Sequence, residues 1–390
     1  MSGGTSPSGA TGRSAARSDG AGVDKPADRP RVFPCDGCGA NLSFCIASQR
    51  LECPYCGHAR DLAVDGDASI EERDLSAALA REGERRARRA PANENAREIR
   101  CRDCGATTRF VGTLTASECP YCCAALQIED AHVAGDRLPV DAVLPFRIER
   151  DDAQARLVAW VKSRWFAPNA FAREGARGRF TGVYSPYWTF DAATATSYQG
   201  ERGEHYWVTV GSGKNARRVR RTRWYPAAGR FTRFFDDVLV YGAQASSERS
   251  MPVAHVRALD PWPIESCLPF TDGALAGFLA RTYDVELADA WVEGRQRIDA
   301  ALRAEVLQRI GGDEQRIHAL RSDYQALTYK HLLLPVWLLA YRWKERPYRV
   351  AVNGATGEVC GERPYSAWKI AFAVLLAAAL AAGVVAYLSR

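Results

Sequence analysis

The rhythm of apolar and polar positions changes three times along the chain. Residues 1–31 are rich in Gly, Ser, Ala and Asp and carry almost no large apolar side chain. Such a segment cannot repay the entropy of ordering, and disorder is expected. Between 32 and 130 apolar positions come in short clusters. Asn41-Leu42-Ser43-Phe44, Leu51-Glu52 and Thr107-Thr108-Arg109-Phe110-Val111 read as short strands. Ser69-Ile70-Glu71-Glu72 has the form of a capping box, which predicts a helix to about residue 90. That helix is charged nearly all round, with Leu75 and Leu79 as apolar anchors, and reads as an exposed spacer. Its Arg85-Arg86-Ala87-Arg88-Arg89 run reads as a solvated face, with contact to phosphates as the alternative.

From 131 onward the pattern is denser. Asp151-Asp152-Ala153-Gln154 resembles a second capping box, and Leu157, Val158, Val161 and Trp165 form one helical stripe ended by Pro168. Strand-like runs follow at 183–190, 206–210, 219–225 and 238–240. Leu275, Phe278 and Leu279 mark a short helix. Trp291, Ile298, Leu302 and Ile310 mark a longer one, closed by Gly311-Gly312. Residues 332–343 and 348–352 read as strands, with Asn353-Gly354 as a hairpin turn. Leu144-Pro145-Phe146 and Leu268-Pro269-Phe270 are each followed by a helix and a Pro-x-Trp strand, the trace of a duplicated unit.

The last change is the loss of charge. Residues 370–388 contain no ionisable side chain except Tyr387, and Lys369 and Arg390 bracket them. As a helix rising about 1.5 Å per residue, this segment matches the bilayer core. Trp368 and Tyr387 sit where interfacial aromatics belong. Eight alanines leave a buried core helix as the competing reading, but a helix apolar all round favours membrane. Two residues follow Leu388, so the segment is expected to insert after synthesis as a tail anchor.

A length of 390 residues predicts two or three units, and an apolar content of 47% suffices for a sizeable core. The net charge of +6 is too modest for a wholesale nucleic-acid coat. The twelve cysteines are more informative. Cys35-Asp-Gly-Cys38 and Cys53-Pro-Tyr-Cys56 are separated by fourteen residues, and Cys101-Arg-Asp-Cys104 and Cys119-Pro-Tyr-Cys122 repeat the spacing 66 positions later. Two such knuckles supply four thiolates to a tetrahedral site, the donor set of structural zinc. Two zinc ions are expected, one on Cys35, Cys38, Cys53 and Cys56, the other on Cys101, Cys104, Cys119 and Cys122. A disulfide framework fits a small secreted domain, and this chain is long and has no N-terminal signal peptide. Four thiolates close the metal's coordination, so the sites are not expected to be catalytic. The repeat favours Cys122 over its neighbour Cys123 as the ligand. Cys45, Cys267 and Cys360 read as ordinary thiols, and His58 is an alternate ligand that four thiolates do not need.

No catalytic constellation emerges: there is no Walker A loop, Gly-x-Ser-x-Gly, His-Glu-x-x-His or dinucleotide fingerprint. His205 and His331 read as structural. Asp236 and Asp237 are expected to face opposite ways on a strand. From 210 to 235 there are eight basic residues and no acid, with Trp224, Phe231 and Phe234 interleaved. Lys214, Arg217, Arg218, Arg220, Arg221 and Arg223 are candidates for contact with phosphate or lipid headgroups, against the plainer reading of a charged, solvated hairpin edge.

The cysteine knuckles, the run 182–191 (Gly-Val-Tyr-Ser-Pro-Tyr-Trp-Thr-Phe-Asp), Leu334-Pro335-Val336-Trp337, the run 352–359 (Val-Asn-Gly-Ala-Thr-Gly-Glu-Val) and the run 361–366 (Gly-Glu-Arg-Pro-Tyr-Ser) together resemble a bacterial family of double-zinc-ribbon membrane proteins. Its members carry labels such as primosomal helicase-like or transcription-factor-type zinc ribbon. The resemblance implies zinc on the eight cysteines and, through some relatives, partners among phage-shock or flotillin-like membrane-stress proteins. It does not carry helicase activity here, since the phosphate loop is absent. The expected architecture is multidomain: a disordered N-terminus (1–31), a β zinc ribbon (32–62), a helical linker (63–100), a second ribbon (101–130), an α+β domain (131–366) and a transmembrane anchor (367–390). The expected function is a single-pass, cytoplasm-facing scaffold in the cytoplasmic membrane that recruits a protein partner. The alternatives are nucleic-acid binding through the 217–223 arginines and, third, an unrecognised enzyme.

Overall fold

The structure, a computed structural model, describes residues 33–62, 69–87, 93–101, 106–110, 119, 121, 131–134, 137–166, 180–244, 252–343 and 346–388. The N-terminal segment expected to be disordered lies outside these residues, as do Pro168 and the side chains of 85–89. In chain order the strands are β1 (Ser43–Cys45), β2 (Arg50–Glu52), β3 (Ala59–Arg60), β4 (Arg73–Asp74), β5 (Asn93–Arg100), β6 (Thr107–Phe110), β7 (Ala131–Ala134), β8 (Ala142–Val143), β9 (Phe180–Val210), β10 (Arg217–Tyr241), β11 (Leu268–Pro269), β12 (Leu279–Arg281), β13 (Glu314–Trp343), β14 (Arg346–Asn353) and β15 (Val359–Gly361). The helices are α1 (Leu75–Ala87), α2 (Arg150–Lys162), α3 (Val253–Arg257), α4 (Leu287–Ile310) and α5 (Ala367–Leu388).

Two strands dominate. β9 has 31 residues and β13 has 30, and they pair antiparallel from Phe180–Leu339 to Gly203–Glu314. Their inner halves are buried on both faces, and period-two alternation divides them between two cores. Val183, Tyr187, Leu332, Leu334, Val336 and Leu338 face one core. Phe180, Tyr184, Leu333, Trp337 and Leu339 face the other, with Leu157 and Val161 of α2 and the stacked rings of Phe146 and Phe278. Such a run reads as continuously apolar, as a strand covered on both faces should.

The strand order β8–β13–β9–β12 reads alike from either end. β8 runs parallel to β13, β12 runs parallel to β9, and the two long strands are antiparallel. α2 leads from β8 towards β9, and α4 leads from β12 to β13. The duplication is therefore topological, with β12 as the counterpart of β8. The second Leu-Pro-Phe instead contributes β11, an added edge strand on β8.

Several local expectations change. The runs 183–190 and 206–210 are one strand, as are 219–225 and 238–240, because continuous pairing carries the backbone across the polar stretches. Residues 272–275 form a 3-10 turn and 279–281 a strand, where a short helix was expected. α1 begins after Asp74, whose carboxylate accepts the Ala77 N–H at 2.6 Å, and not at Ser69. It is no exposed spacer, because Leu75, Ala78 and Glu82 are buried and Leu75 packs with Trp188 and Tyr329. α2 forms without a side-chain cap, and Trp165 lies beyond its end, exposed. The helix ending at Ile310 forms as expected and stops at Gly311, whose φ of +67° suits glycine. The 353–354 turn also forms. Asn353 is buried, and its Oδ1 accepts the Ala355 and Thr356 N–H groups.

Beyond Asp191 the sheet narrows to a three-stranded ribbon, β10–β9–β13. Both flanking strands carry a β-bulge at this level, between Phe235 and Val238 and between Gln325 and Thr328. α4 covers one face of the ribbon as far as Gly200. Ile298 and Leu302 pack on Ala192 and Phe235, and Gly294 allows contact with Phe190, whose ring would stand 2.7 Å from an added Cβ. Ten further residues of β9 continue past Gly200 to Val210.

The junction is held by a buried charge cluster. Asp191 is 1% exposed and accepts hydrogen bonds from the Asp237 N–H at 2.6 Å and the Thr328 hydroxyl at 3.0 Å. Lys330 Nζ lies 2.9 Å from Asp237, 3.6 Å from Asp191 and 3.4 Å from Glu72. Burial opposes the charge on Lys330, but these three carboxylates outweigh it and hold its pKa above the ordinary lysine value. The contribution is thus fully present below the unfolded-state pKa of about 10.4 and is lost only as pH rises through the higher folded value. Lys330→Met strands buried carboxylates, and chemical denaturation at pH 7 should show a loss of about 3–5 kcal/mol.

Candidate functional site

The first cysteine unit is a three-stranded sheet, β1–β2–β3, built around two tight turns. The Cys35 N–H donates to Ala40 O at 2.7 Å, and the Gly57 N–H donates to Cys53 O at 3.0 Å. These turns bring four sulfurs together: Cys35 Sγ lies 3.4 Å from Cys56 Sγ, Cys38 Sγ lies 3.5 Å from Cys53 Sγ, and all four are within 4.8 Å of one another. Tetrahedral bonds of 2.3 Å would set sulfurs about 3.8 Å apart, so this donor set can hold a metal ion. The Gly37 N–H lies 3.4 Å from Cys35 Sγ. The backbone amides of Cys56 and Tyr55 draw the Cys53 thiol down to about 6. The His58 amide also draws on Cys56, but contact with the Cys35, Cys38 and Cys53 sulfurs pushes it up to about 12. His58 sits outside the four-sulfur group, its Nε2 3.8 Å from Asp36.

In the second unit Cys101 and Cys119 are buried, while Cys104, Cys122 and Cys123 lie outside the described residues. What is described repeats the first unit sixty-six residues on. The Cys101 N–H donates to Ala106 O at 2.9 Å as Cys35 does to Ala40, and Arg100 pairs with Thr107 as Pro34 does with Asn41. The described cysteines are thiols, with no disulfide among them. The settings of the two units differ. β6 pairs with β12 and so joins the large sheet, whereas β1–β3 stay apart and dock through the Phe44 N–H on Ala276 O. Tyr121 is 2% exposed beneath the Arg281 guanidinium, and its counterpart Tyr55 is 82% exposed. Cys45, Cys267 and Cys360 are scattered single thiols.

The candidate basic residues lie on β10, the outer strand of the ribbon. Lys214 is in the turn Gly213–Asn215, and its side chain is outside the description. Arg217, Arg218, Arg220, Arg221 and Arg223 are exposed but split between faces: Arg218 and Arg220 on one, Arg217, Arg221 and Arg223 on the face that α4 covers lower down. Nor is the surface purely basic. β9 and β13 bring acids among the arginines, so that Arg223 pairs across the strands with Glu204, and His205 bonds Glu314 at 2.6 Å. Single-strand reading could not see this, since the acids lie far away in sequence. Trp224 is not free to stack on a base: it crosses Gly203, and the Arg316 guanidinium covers its ring at 3.7 Å. Phe231 lies under Arg309. The exposed aromatics of the ribbon are Trp207 at 57%, Phe234 at 61% and, less so, Tyr225 at 36%. Outside the pairing with β9, β10 pairs with no other strand among the described residues, and β13 presents an open edge below Thr328.

Asp236 and Asp237 do not point apart. They occupy the bulge, where strict alternation fails, and their carboxylates converge with Asp191. Lys330, 93 positions beyond Asp237 in the sequence and brought beside it by β13, balances them, so the cluster is explained by the ribbon's junction. His331 stacks on Trp188 and its Nδ1 meets Pro139 O at 3.1 Å, the structural role expected of it.

α5 is 22 residues long, apolar enough to cross a membrane, and none of it is buried against the rest of the protein. Among the described residues nothing covers it as a core helix would be covered. Phe180, Leu339, Val350 and Gly361 form one row across the sheet, and α5 starts six residues after Gly361. The ribbon tip at Val210 lies thirty residues of β9 away, about 100 Å of strand contour.

No family model matches the chain, and no solved structure matches it. Among curated proteins it is similar to the uncharacterized protein YdjG of Bacillus subtilis (strain 168), 23% identical over 360 residues, covering 87% of this chain and 92% of that protein.

Proposed function

We propose that this chain is a membrane-anchored adaptor that offers the β10–β9–β13 ribbon to a protein partner. The observation that carries this reading is the ribbon itself. It extends past its supporting helix, has two open strand edges, and mixes charges around exposed Trp207 and Phe234. Open edges accept an added strand, and exposed aromatics amid mixed charge are the composition of protein interfaces. The acids contributed by β9 and β13 oppose a phosphate backbone, which disfavours nucleic acid. α5 provides the anchor, and the contour between its root and the arginines argues against the arginines serving the same bilayer.

In this reading each cysteine unit holds one structural zinc ion, ligated by Cys35, Cys38, Cys53 and Cys56 and by Cys101, Cys104, Cys119 and Cys122. Zinc would add folding energy to units whose own buried cores are small, as the Leu42, Phe44 and Leu51 cluster of the first is. Thiolate ligation favours a reducing compartment, which supports a cytoplasmic side for both units.

Elemental analysis of the purified chain should give about two zinc per chain, and Cys53→Ser should lower this to about one while the large sheet remains folded. Metal-free protein with paired thiols would overturn the assignment. Alkaline carbonate should fail to extract the full chain from membranes and should release one lacking residues 367–390. Photo-crosslinkers at Trp207 and Phe234 should capture the same protein from intact cells, and Trp207→Ala with Phe234→Ala should weaken that capture by roughly tenfold or more. Tight, salt-sensitive binding of DNA or RNA by the chain, with no crosslinked protein, would replace the adaptor reading with the nucleic-acid one.

A further inference from the structure

Two clefts meet at the root of α5. One, of about 550 Å³, is lined by Trp160, Arg164, His255, Glu362, Arg363 and Tyr365, among others. The other, of about 400 Å³, is an apolar groove that runs from Phe166 along α5 past Ile370, Ala373, Val374 and Ala377. Tyr365 lines both. The Ser366 N–H donates to Phe166 O at 2.8 Å and fixes the two walls together.

The first cleft is positively charged without internal compensation. Arg164 lies against Trp160 at 5.3 Å and Arg363 against Tyr365 at 5.2 Å, and neither has a carboxylate within ion-pair distance among the described residues. The acid in the lining, Glu362, lies 3.9 Å from buried Arg349 and is already balanced. His255 Nδ1 is buried with no hydrogen-bond partner. Trp165, Tyr365 and Trp368 stand exposed around the root, as residues at the headgroup level of a bilayer do.

We propose that this joint site binds one anionic phospholipid, its phosphate between Arg164 and Arg363 and an acyl chain in the groove along α5. Guanidinium groups match phosphate oxygens in geometry and charge. The groove opens into the hydrocarbon region, where acyl chains are the molecules available to fill it. The inference rests on α5 crossing the membrane.

The test is native mass spectrometry of the full chain in neutral detergent, titrated with phosphatidylglycerol or phosphatidylcholine. One phosphatidylglycerol should be retained about tenfold more tightly than phosphatidylcholine. Arg164→Gln with Arg363→Gln should abolish that preference while zinc content and circular dichroism stay unchanged. Ala373→Phe, which fills the groove and leaves both arginines, should weaken retention of both lipids. Equal retention of the two lipids, or a preference that survives loss of both arginines, overturns the proposal. So does displacement by glycerol 3-phosphate at the concentration at which the lipid binds, which would make the cleft a site for a soluble phosphate. A carbonate-resistant chain without lipid preference sinks this inference alone, whereas a carbonate-extractable chain removes the membrane reading beneath it.

Discussion

The antiparallel ladder between β9 and β13 is the constraint on which the rest depends. These strands, 31 and 30 residues long, are buried on both faces over only part of their length. The inner halves are covered on both sides, by the two cores that alternate residues feed. Among the described residues, the outer halves have a helix on one side for about a third of the strand and no cover beyond it. Body and ribbon are therefore parts of the same hydrogen-bonded element, and what separates them is only how much apolar surface is available to cover it.

The junction at Asp191 shows how that separation is managed. Bulges on both flanking strands interrupt the register at one level, and Asp237 and Ala326 take positive φ there. A buried carboxylate then holds the irregular backbone by accepting from the Asp237 N–H and the Thr328 hydroxyl. Lys330 makes that carboxylate tolerable away from water. An acidic trio that resembles a metal site is thus a structural clamp, and its positive partner comes from the neighbouring strand.

The two cysteine units share a turn geometry and differ in what surrounds it. One stands apart and exposes Tyr55; the other is pinned by Arg281 over Tyr121 and extends the main sheet. The repeated turn lies within the main sheet in one unit and in a separate small sheet docked on Ala276 in the other. The membrane-crossing candidate α5 is likewise free of the body except at its root, where Phe166 and Tyr365 meet it. The root of α5 at one end of the ladder and the ribbon at the other give the molecule two unlike ends.

The sequence by itself determined whatever depends on near neighbours. The Cys-x-x-Cys spacing dictated the turn that recurs at Cys35 and Cys101, because six consecutive residues suffice to close it. The uncharged run announced α5, the Gly311-Gly312 pair announced the end of α4, and Asn353-Gly354 announced a turn. Tertiary structure decided whatever depends on pairing across distance. Nothing local joins 183–190 to 206–210 as one strand; the partner strand does. The arginines of β10 looked like a basic patch because the acids among them arrive from β9 and β13. Trp224 looked available because Arg316, which covers it, is 92 positions further along the chain. Likewise α1 looked like a spacer because the surface that buries Leu75 is made by Trp188 and Tyr329. Short-range geometry is written in adjacent residues, whereas burial and charge compensation are properties of neighbours that only the fold supplies.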